Sequence, residues 1–140
     1  IKTNAIAGCI PVAFKAAGSN AIPAIPKLIK ALDNEIPVSW WVAECLKNIG
    51  TNSIPPLIAA LDNRKVKIRI GAAYALGQIG SPAESAVPKL LERLKAEEVQ
   101  VQSSIIIALG LINQYPEKVV PALIPYLSQG PALEATPHLP

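Results

Sequence analysis

Two neighbouring runs of sequence decide the fold: Ile54-Pro55-Pro56-Leu57-Ile58-Ala59-Ala60-Leu61-Asp62 and Ile68-Arg69-Ile70-Gly71-Ala72-Ala73-Tyr74-Ala75-Leu76-Gly77-Gln78-Ile79-Gly80. In the first run the large apolar residues recur every third or fourth position, which predicts one apolar stripe along a helix. The second run keeps this period, and its alanines allow neighbouring helices to approach closely. Neither stripe can be buried within a single pair of helices, so each pair needs a neighbour.

The same pattern returns on both sides at a step of about 30 residues. The leucines expected to close the first helix of each unit are 29, 33 and 33 residues apart, namely Leu32, Leu61, Leu94 and Leu127. The residues expected to open the second helix are Val38, Ile68 and Val101. Two short helices in a step of this length indicate stacked helical hairpins, so the predicted fold is an all-α solenoid.

Turn signals separate the units. Each unit is expected to end at Gly18, Gly50, Gly80 or Asn113, since glycine and asparagine tolerate the left-handed conformation that ends a helix. Ser, Thr or Asn follows in most of these turns and offers an N-cap acceptor, and proline opens the next helix. Pro11 lies inside the presumed N-terminal helix and is expected to kink or shorten it.

The composition agrees with short helices. The chain of 140 residues is 51% hydrophobic but only 4% aromatic, which is unlike a sandwich or barrel, and its 14 prolines suit helices that each begin at a proline. The net charge of +3 does not require a nucleic-acid partner. No uninterrupted apolar run reaches the length of a membrane span, so no membrane association is expected.

The two runs quoted above resemble the HEAT-repeat family, in its short bacterial form often named after phycobilisome lyase subunits. Residues 25–33 followed by 38–50 repeat the pattern, and the resemblance covers roughly residues 4–127. It implies a superhelix of antiparallel helix pairs. The pattern is specific for this architecture and indicates almost nothing about function. It also implies a ladder of Asp at the intra-repeat turn and Arg in the second helix. Only Asp62 and Arg69 fit both positions, so about one rung is expected.

The repeat spacing predicts the domain organisation. A solenoid is expected over residues 1–127, with a partial unit at 1–20, repeats at 21–50, 51–80 and 81–113, and a partial repeat at 114–127. Residues 128–140 are expected to form an irregular tail. Because the chain lacks methionine, it is expected to be part of a longer repeat chain.

The second helices are expected to line the concave, binding face of the solenoid. The positions on this face that the core does not need supply the candidate protein-binding residues, which are Trp40, Glu44, Arg69, Ile70, Tyr74 and Ile107. Aromatic residues with a polar edge are typical interface anchors, although Trp40 could simply cover the first hairpin. Ile105, Ile106 and Ile107 cannot all face one side of a helix, and packing within the solenoid is expected for them.

A second candidate site is basic. Arg64, Lys65, Lys67 and Arg69 place four cations at the start of a helix, where the dipole disfavours positive charge and an anion would offset it. This cluster motivates the alternative of nucleic-acid or acidic-ligand binding. The competing interpretation is a solvated turn in which Asp62 pairs with Arg69.

The sequence does not favour an enzyme. The only histidine is His138, so neither the repeated His-Glu pairs of HEAT-like di-iron hydroxylases nor a structural zinc site can form, and no cofactor or metal is expected. Cys9 and Cys45 are expected to be buried thiols in a reducing, cytoplasmic compartment. The expected function is a non-catalytic scaffold that binds a protein or peptide. The other alternative is an accessory subunit of an enzyme such as a phycobilin lyase.

Overall fold

The computed structural model describes residues 9–128, and within this range it is an all-α solenoid without strands. Its helices are α1 (Ile10–Ala17), α2 (Ile25–Ala31), α3 (Val38–Ile49), α4 (Ile54–Ala60), α5 (Val66–Ile79), α6 (Val87–Ala96), α7 (Val99–Ile112) and α8 (Pro116–Leu123). Segments of 3₁₀-helix lead into α2, α4 and α6, and another follows α8; they span Gly18–Ala24, Thr51–Ser53, Ser81–Ala86 and Ile124–Ser128.

The helices form two layers. The second helices of the units, α1, α3, α5 and α7, pack side by side along their lengths. The first helices, α2, α4 and α6, each lie on the second helix of their own unit and contact one another only sparsely. The core therefore runs continuously between the layers, as a stack of hairpins requires.

The predicted helix stops are confirmed by the backbone. Gly18, Gly50 and Gly80 follow α1, α3 and α5 with φ of 54°, 91° and 78°, and Asn113 ends α7 with φ of 52°. These positive φ values, which glycine adopts without a steric penalty, allow the chain to leave each second helix abruptly and enter the next unit.

The anchor leucines behave as predicted in the interior and differently at the end. Leu32, Leu61 and Leu94 are at most 1% exposed, whereas Leu127 lies in the last 3₁₀ segment and is 74% exposed. Val38 opens α3 as expected, but α5 and α7 each begin two residues earlier than predicted, at Val66 and Val99. Val66 packs partly against the core, whereas Val99 is 71% exposed.

The predicted side-chain N-caps are wrong. No helix among the described residues has one. Ala24 and Ala86 stand at the N-caps of α2 and α6 and carry no acceptor. Helix α4 has prolines at its second and third positions, where a cap would need amides. The Ser53 hydroxyl, fully buried, instead donates to the Leu46 carbonyl of α3 at 2.7 Å. It thereby satisfies an acceptor at the C-terminal end of the preceding helix.

The positions and burial of single residues test three further expectations. Pro11 lies in the first turn of α1, so it begins that helix rather than kinking it. Cys45 is buried as expected, but Cys9 is exposed because it precedes the first turn of α1 at the edge of the layer. Ile105 is fully buried, while Ile107 is 60% exposed and contacts solvent rather than the interior. The expected tail beyond residue 128 and the first eight residues lie outside the described part of the chain.

Candidate protein-binding groove

A groove of about 250 Å³ opens between the second helices α3 and α5. Its apolar wall is formed by Trp40, Ile70 and Tyr74, and its polar rim by Asn34, Glu35, Ser39 and Lys67. Three of the six residues predicted to bind protein therefore converge on one concavity. Their position does not test whether these residues bind a protein, but the fold does bring the three side chains together.

Helix geometry explains the convergence. Ile70 and Tyr74 are four residues apart on α5 and so lie on one face of that helix, where both pack partly on the core. Trp40 lies on α3, in the equivalent position of the preceding unit to Ile70, and is 49% exposed. Packing holds the Ile70 and Tyr74 side chains in place, while the Trp40 ring presents half of its surface to solvent.

The rim of the groove carries an ion pair from two consecutive units. The Lys67 ammonium donates a hydrogen bond to the Glu35 carboxylate, and this bond raises the pKa of Lys67 above its ordinary value. Both side chains are well exposed, so the pair contributes little to stability. It does place one charge of each sign beside an apolar wall, where main-chain groups or side chains of a bound peptide could reach them.

The other predicted protein-binding residues lie elsewhere. Glu44 forms an ion pair with Lys47 at 3.9 Å along α3. Ile107 contributes to a smaller cleft of about 50 Å³ between α5 and α7, which it shares with Tyr74 and Leu111. Tyr74 thus stands between the two concavities and links them on the same face of the solenoid.

The Arg69 side chain makes its hydrogen bonds within the solenoid. Its guanidinium donates to the Asn63 and Arg64 carbonyls at 2.7 and 3.1 Å and to the Glu97 carboxylate at 3.1 Å, and the side chain is only 12% exposed. The expected Asp62–Arg69 pair is therefore wrong. The two carbonyls hold the guanidinium beneath its own turn, from which it reaches the next unit, whereas Asp62 accepts from Lys89 of α6 at 2.7 Å.

The basic turn is paired with acidic residues of the preceding unit. Lys65 forms an ion pair with Asp33 at 2.6 Å, and Lys67 pairs with Glu35 as described above. These pairs, with Asp62–Lys89 and Arg69–Glu97, link residues 21–50 to 51–80 and residues 51–80 to 81–113. The expected Asp–Arg rung is not among them. The anion-binding set stays a prediction, and an anion there would compete with carboxylates already in place.

Sequence reasoning missed these inter-unit pairs because it compared each residue with its own unit. The available signal was the separation of 32 residues between Asp33 and Lys65 and between Glu35 and Lys67, close to one repeat. An acidic turn followed one repeat later by a basic turn predicts contact when units stack.

Cys45 does not have the properties of a nucleophile. It is buried in α3, and burial, reinforced by the nearby Glu44 charge, raises the pKa of its thiol to about 11. A thiol at this pKa is almost entirely protonated at neutral pH, and the thiolate is the reactive form. Its place in the core matches that of Ala75 in the next unit.

Comparison with known proteins agrees with the architecture. No helix within residues 9–128 has both the length and the apolar character needed to cross a membrane. A comparison with curated proteins found no match. The family model for HEAT repeats matches residues 25–101, which is more than half of the chain and includes α2 to α6. The chain therefore belongs to the HEAT-repeat family.

Proposed function

We propose that the chain is a non-catalytic scaffold that binds a protein or peptide in the groove between α3 and α5. HEAT repeats are generally protein-interaction scaffolds, and this coarse role comes with the family. The observation that carries the finer proposal is the convergence of Trp40, Ile70 and Tyr74 on one groove.

The size and chemistry of the groove suit a peptide side chain. Its volume of about 250 Å³ lies below the range typical of cofactor and small-molecule sites, roughly 300–1,000 Å³. Tryptophan and tyrosine are enriched among the few residues that supply most of the binding energy in protein interfaces. We expect one large apolar side chain of the partner to enter the groove, with Asn34 and Ser39 available to hydrogen-bond its main chain.

The packing of the helix layers supports the second-helix face as the binding face. The second helices pack along their lengths, whereas the first helices are in sparse contact with one another. Closer spacing in one layer gives that layer the shorter arc, so the second helices would line the concave side. A concave face can surround an extended partner over several units.

The test is selection of binding peptides followed by matched substitutions. Peptides are selected from a random library on the immobilised chain, and their dissociation constants are measured by fluorescence anisotropy. Trp40→Ala and Tyr74→Ala should each weaken binding by about 10-fold or more, because truncating an interface anchor costs on the order of 2 kcal/mol. Tyr126→Ala is the matched control, since Tyr126 is a partly buried tyrosine far from this groove.

Salt separates this proposal from anion binding at the basic turn. Binding through an apolar groove should change little as salt is raised, whereas binding to phosphates should weaken steeply. Selected peptides that bind equally well to wild type, Trp40→Ala and Tyr74→Ala would remove the groove from the proposal. Each variant is compared with wild type by circular dichroism, so that a loss of folding is recognised.

A further inference from the structure

The groove between α3 and α5 continues into the smaller cleft between α5 and α7. Two residues border both concavities, Tyr74 of α5 and Ser104 of α7. The described residues that line the groove and the cleft all lie between positions 32 and 111, in the interior of the solenoid. Groove and cleft together therefore form one track that crosses three second helices, with Tyr74 at its middle.

The two ends of the track admit side chains of different size. The groove has a volume of about 250 Å³ and the cleft one of about 50 Å³. The cleft is narrow where α5 and α7 approach each other closely, since a Cβ atom on Gly77 would lie only 3.0 Å from the Ala108 Cα. A large apolar side chain fits the groove, whereas only a small one such as alanine or valine fits the cleft.

The distance between the two concavities suits an extended chain. They are offset along α5 by about five residues, or about 8 Å, and across it by about one helix spacing of 8–10 Å. Their separation is therefore about 12 Å. An extended chain covers this distance in about four residues, and residues four apart project to the same side of it.

The polar residues of the track also favour an extended partner. Asn34, Ser39 and Ser104 place uncharged hydrogen-bonding side chains among its lining residues. An extended segment needs partners for its main-chain N–H and C=O groups, whereas a helix satisfies most of its own. These three side chains can supply such partners along the track.

The groove end of the track has an excess of positive charge. Arg64, Lys65 and Lys67 lie in the turn before α5 and in its first residues, and the two lysines pair with the carboxylates of Asp33 and Glu35. Arg64 is exposed and forms no ion pair with any residue within 9–128. Three cations thus face two carboxylates. At the other end, none of the described residues that line the cleft carries a charge. A negative charge on the partner is therefore complementary to the groove end alone.

We propose that the track binds an extended segment of a partner protein with a defined pattern of three residues. The pattern is a large apolar residue, a small apolar residue four positions away, and an acidic residue on the other side of the large one. The large side chain enters the groove beside Trp40, the small one enters the cleft beyond Tyr74, and the acidic one pairs with Arg64. This pattern rests on the proposed peptide binding in the groove and adds the chemistry of the partner.

The sequences of the peptides selected on the wild-type chain test the spacing. Binders should share the large and the small apolar residue at a separation of four. Moving the small residue by one position should weaken binding by about 10-fold, because neighbouring residues of an extended chain project to opposite sides. Binders that need Trp40 but lack the second apolar residue, or carry it seven or eight positions away as a helix would, overturn the pattern and leave binding in the groove intact. Binders that do not need Trp40 overturn both.

A charge exchange tests the acidic residue. Arg64→Glu should weaken binding of a selected acidic peptide by about 5-fold, and the same peptide with lysine at the acidic position should prefer the Arg64→Glu chain to the wild type. Lys95→Glu, an exposed position on the first helix α6, is the charge-matched control and should bind as the wild type does. Equal affinity of the wild-type and Arg64→Glu chains for both peptides would contradict the assigned pair.

Enlarging the cleft tests the small residue. Leu111 lines the cleft, so Leu111→Ala should open space there and change the preferred residue at the small position from valine to leucine. Binding of peptides with valine and with leucine at that position is compared by fluorescence anisotropy on both chains. An unchanged preference would show that the second apolar residue does not enter the cleft.

Discussion

Two glycines at equivalent positions should respond differently to the same substitution. Gly77 and Gly110 each lie two residues before the last residue of their helix, α5 and α7. Replacing glycine by alanine inside a helix stabilises it by about 0.8–1.0 kcal/mol, because the unfolded chain loses freedom and the helix gains propensity. This gain is common to both sites, so their difference reports packing.

Packing at the two sites is different. A Cβ on Gly77 would lie 3.0 Å from the Cα of Ala108 and 3.3 Å from its Cβ, and backbone of α7 cannot move aside as a flexible side chain can. Overpacking of this kind costs about 1–3 kcal/mol, so Gly77→Ala should range from nearly neutral to about 2 kcal/mol destabilising. At Gly110 the space is open, so Gly110→Ala should stabilise the chain by about 1 kcal/mol.

Urea denaturation followed by far-UV circular dichroism measures both free energies of unfolding. The denaturation slopes should match, so that the midpoints report stability alone. The Gly110 variant should be the more stable by about 1–3 kcal/mol. Equal stabilisation by both substitutions would show that α5 and α7 do not approach each other as closely as described, and would refute the reasoning.

Three further predictions concern the ion pairs and the cysteines. Arg69→Met should cost about 2 kcal/mol in urea denaturation, since it leaves the buried Glu97 carboxylate short of a donor. Lys67→Met should leave the urea midpoint almost unchanged because that pair is exposed, and equal shifts in the two variants would contradict this account. Cys9 should react with a thiol reagent in the native chain and Cys45 only after unfolding. Burial raises the pKa of the Cys45 thiol from 9.0 to about 11 in the folded chain, so this thiol ionises at lower pH in the unfolded chain. The stability that Cys45 contributes should therefore be lost as pH rises from 9.0 toward 11. Cys45→Ala should remove that part of the pH dependence, and a variant with the wild-type dependence would show that another group is responsible.

The fold could be predicted because it depends on local signals that repeat. Glycine and asparagine at the helix ends, prolines at the helix starts and leucines at a fixed step each have one structural meaning, and their recurrence removes the ambiguity of any single instance. The core positions Leu32, Leu61 and Leu94 followed from the apolar period alone. Leu127 fits the same period but is exposed, since burial also requires a facing helix, which the period does not reveal.

The contacts between units could not be predicted in the same way. The partner of Arg69 was assigned within its own unit, yet the two carbonyls that hold its guanidinium direct it to Glu97 of the next turn. The Ser53 hydroxyl likewise donates to a carbonyl of the preceding unit, that of Leu46. Both contacts depend on how the units stack, and periodicity does not specify that geometry.

The candidate groove was accessible to sequence analysis in part. Trp40, Ile70 and Tyr74 were found because equivalent positions of stacked helices fall on one face. Asn34 and Glu35 were not assigned to the same site, since they lie in a turn whose conformation the repeat pattern does not fix, and Lys67 was assigned to the basic cluster instead.

The central claim is that the face between α3 and α5 binds the partner, and a titration followed by ¹H–¹⁵N NMR tests it most directly. A selected peptide should shift the Trp40 indole N–H signal and the backbone amides of Ile70 and Tyr74, while signals from the first helices α2, α4 and α6 stay in place. Shifts that cluster on those first helices and leave Trp40 unchanged would contradict the claim.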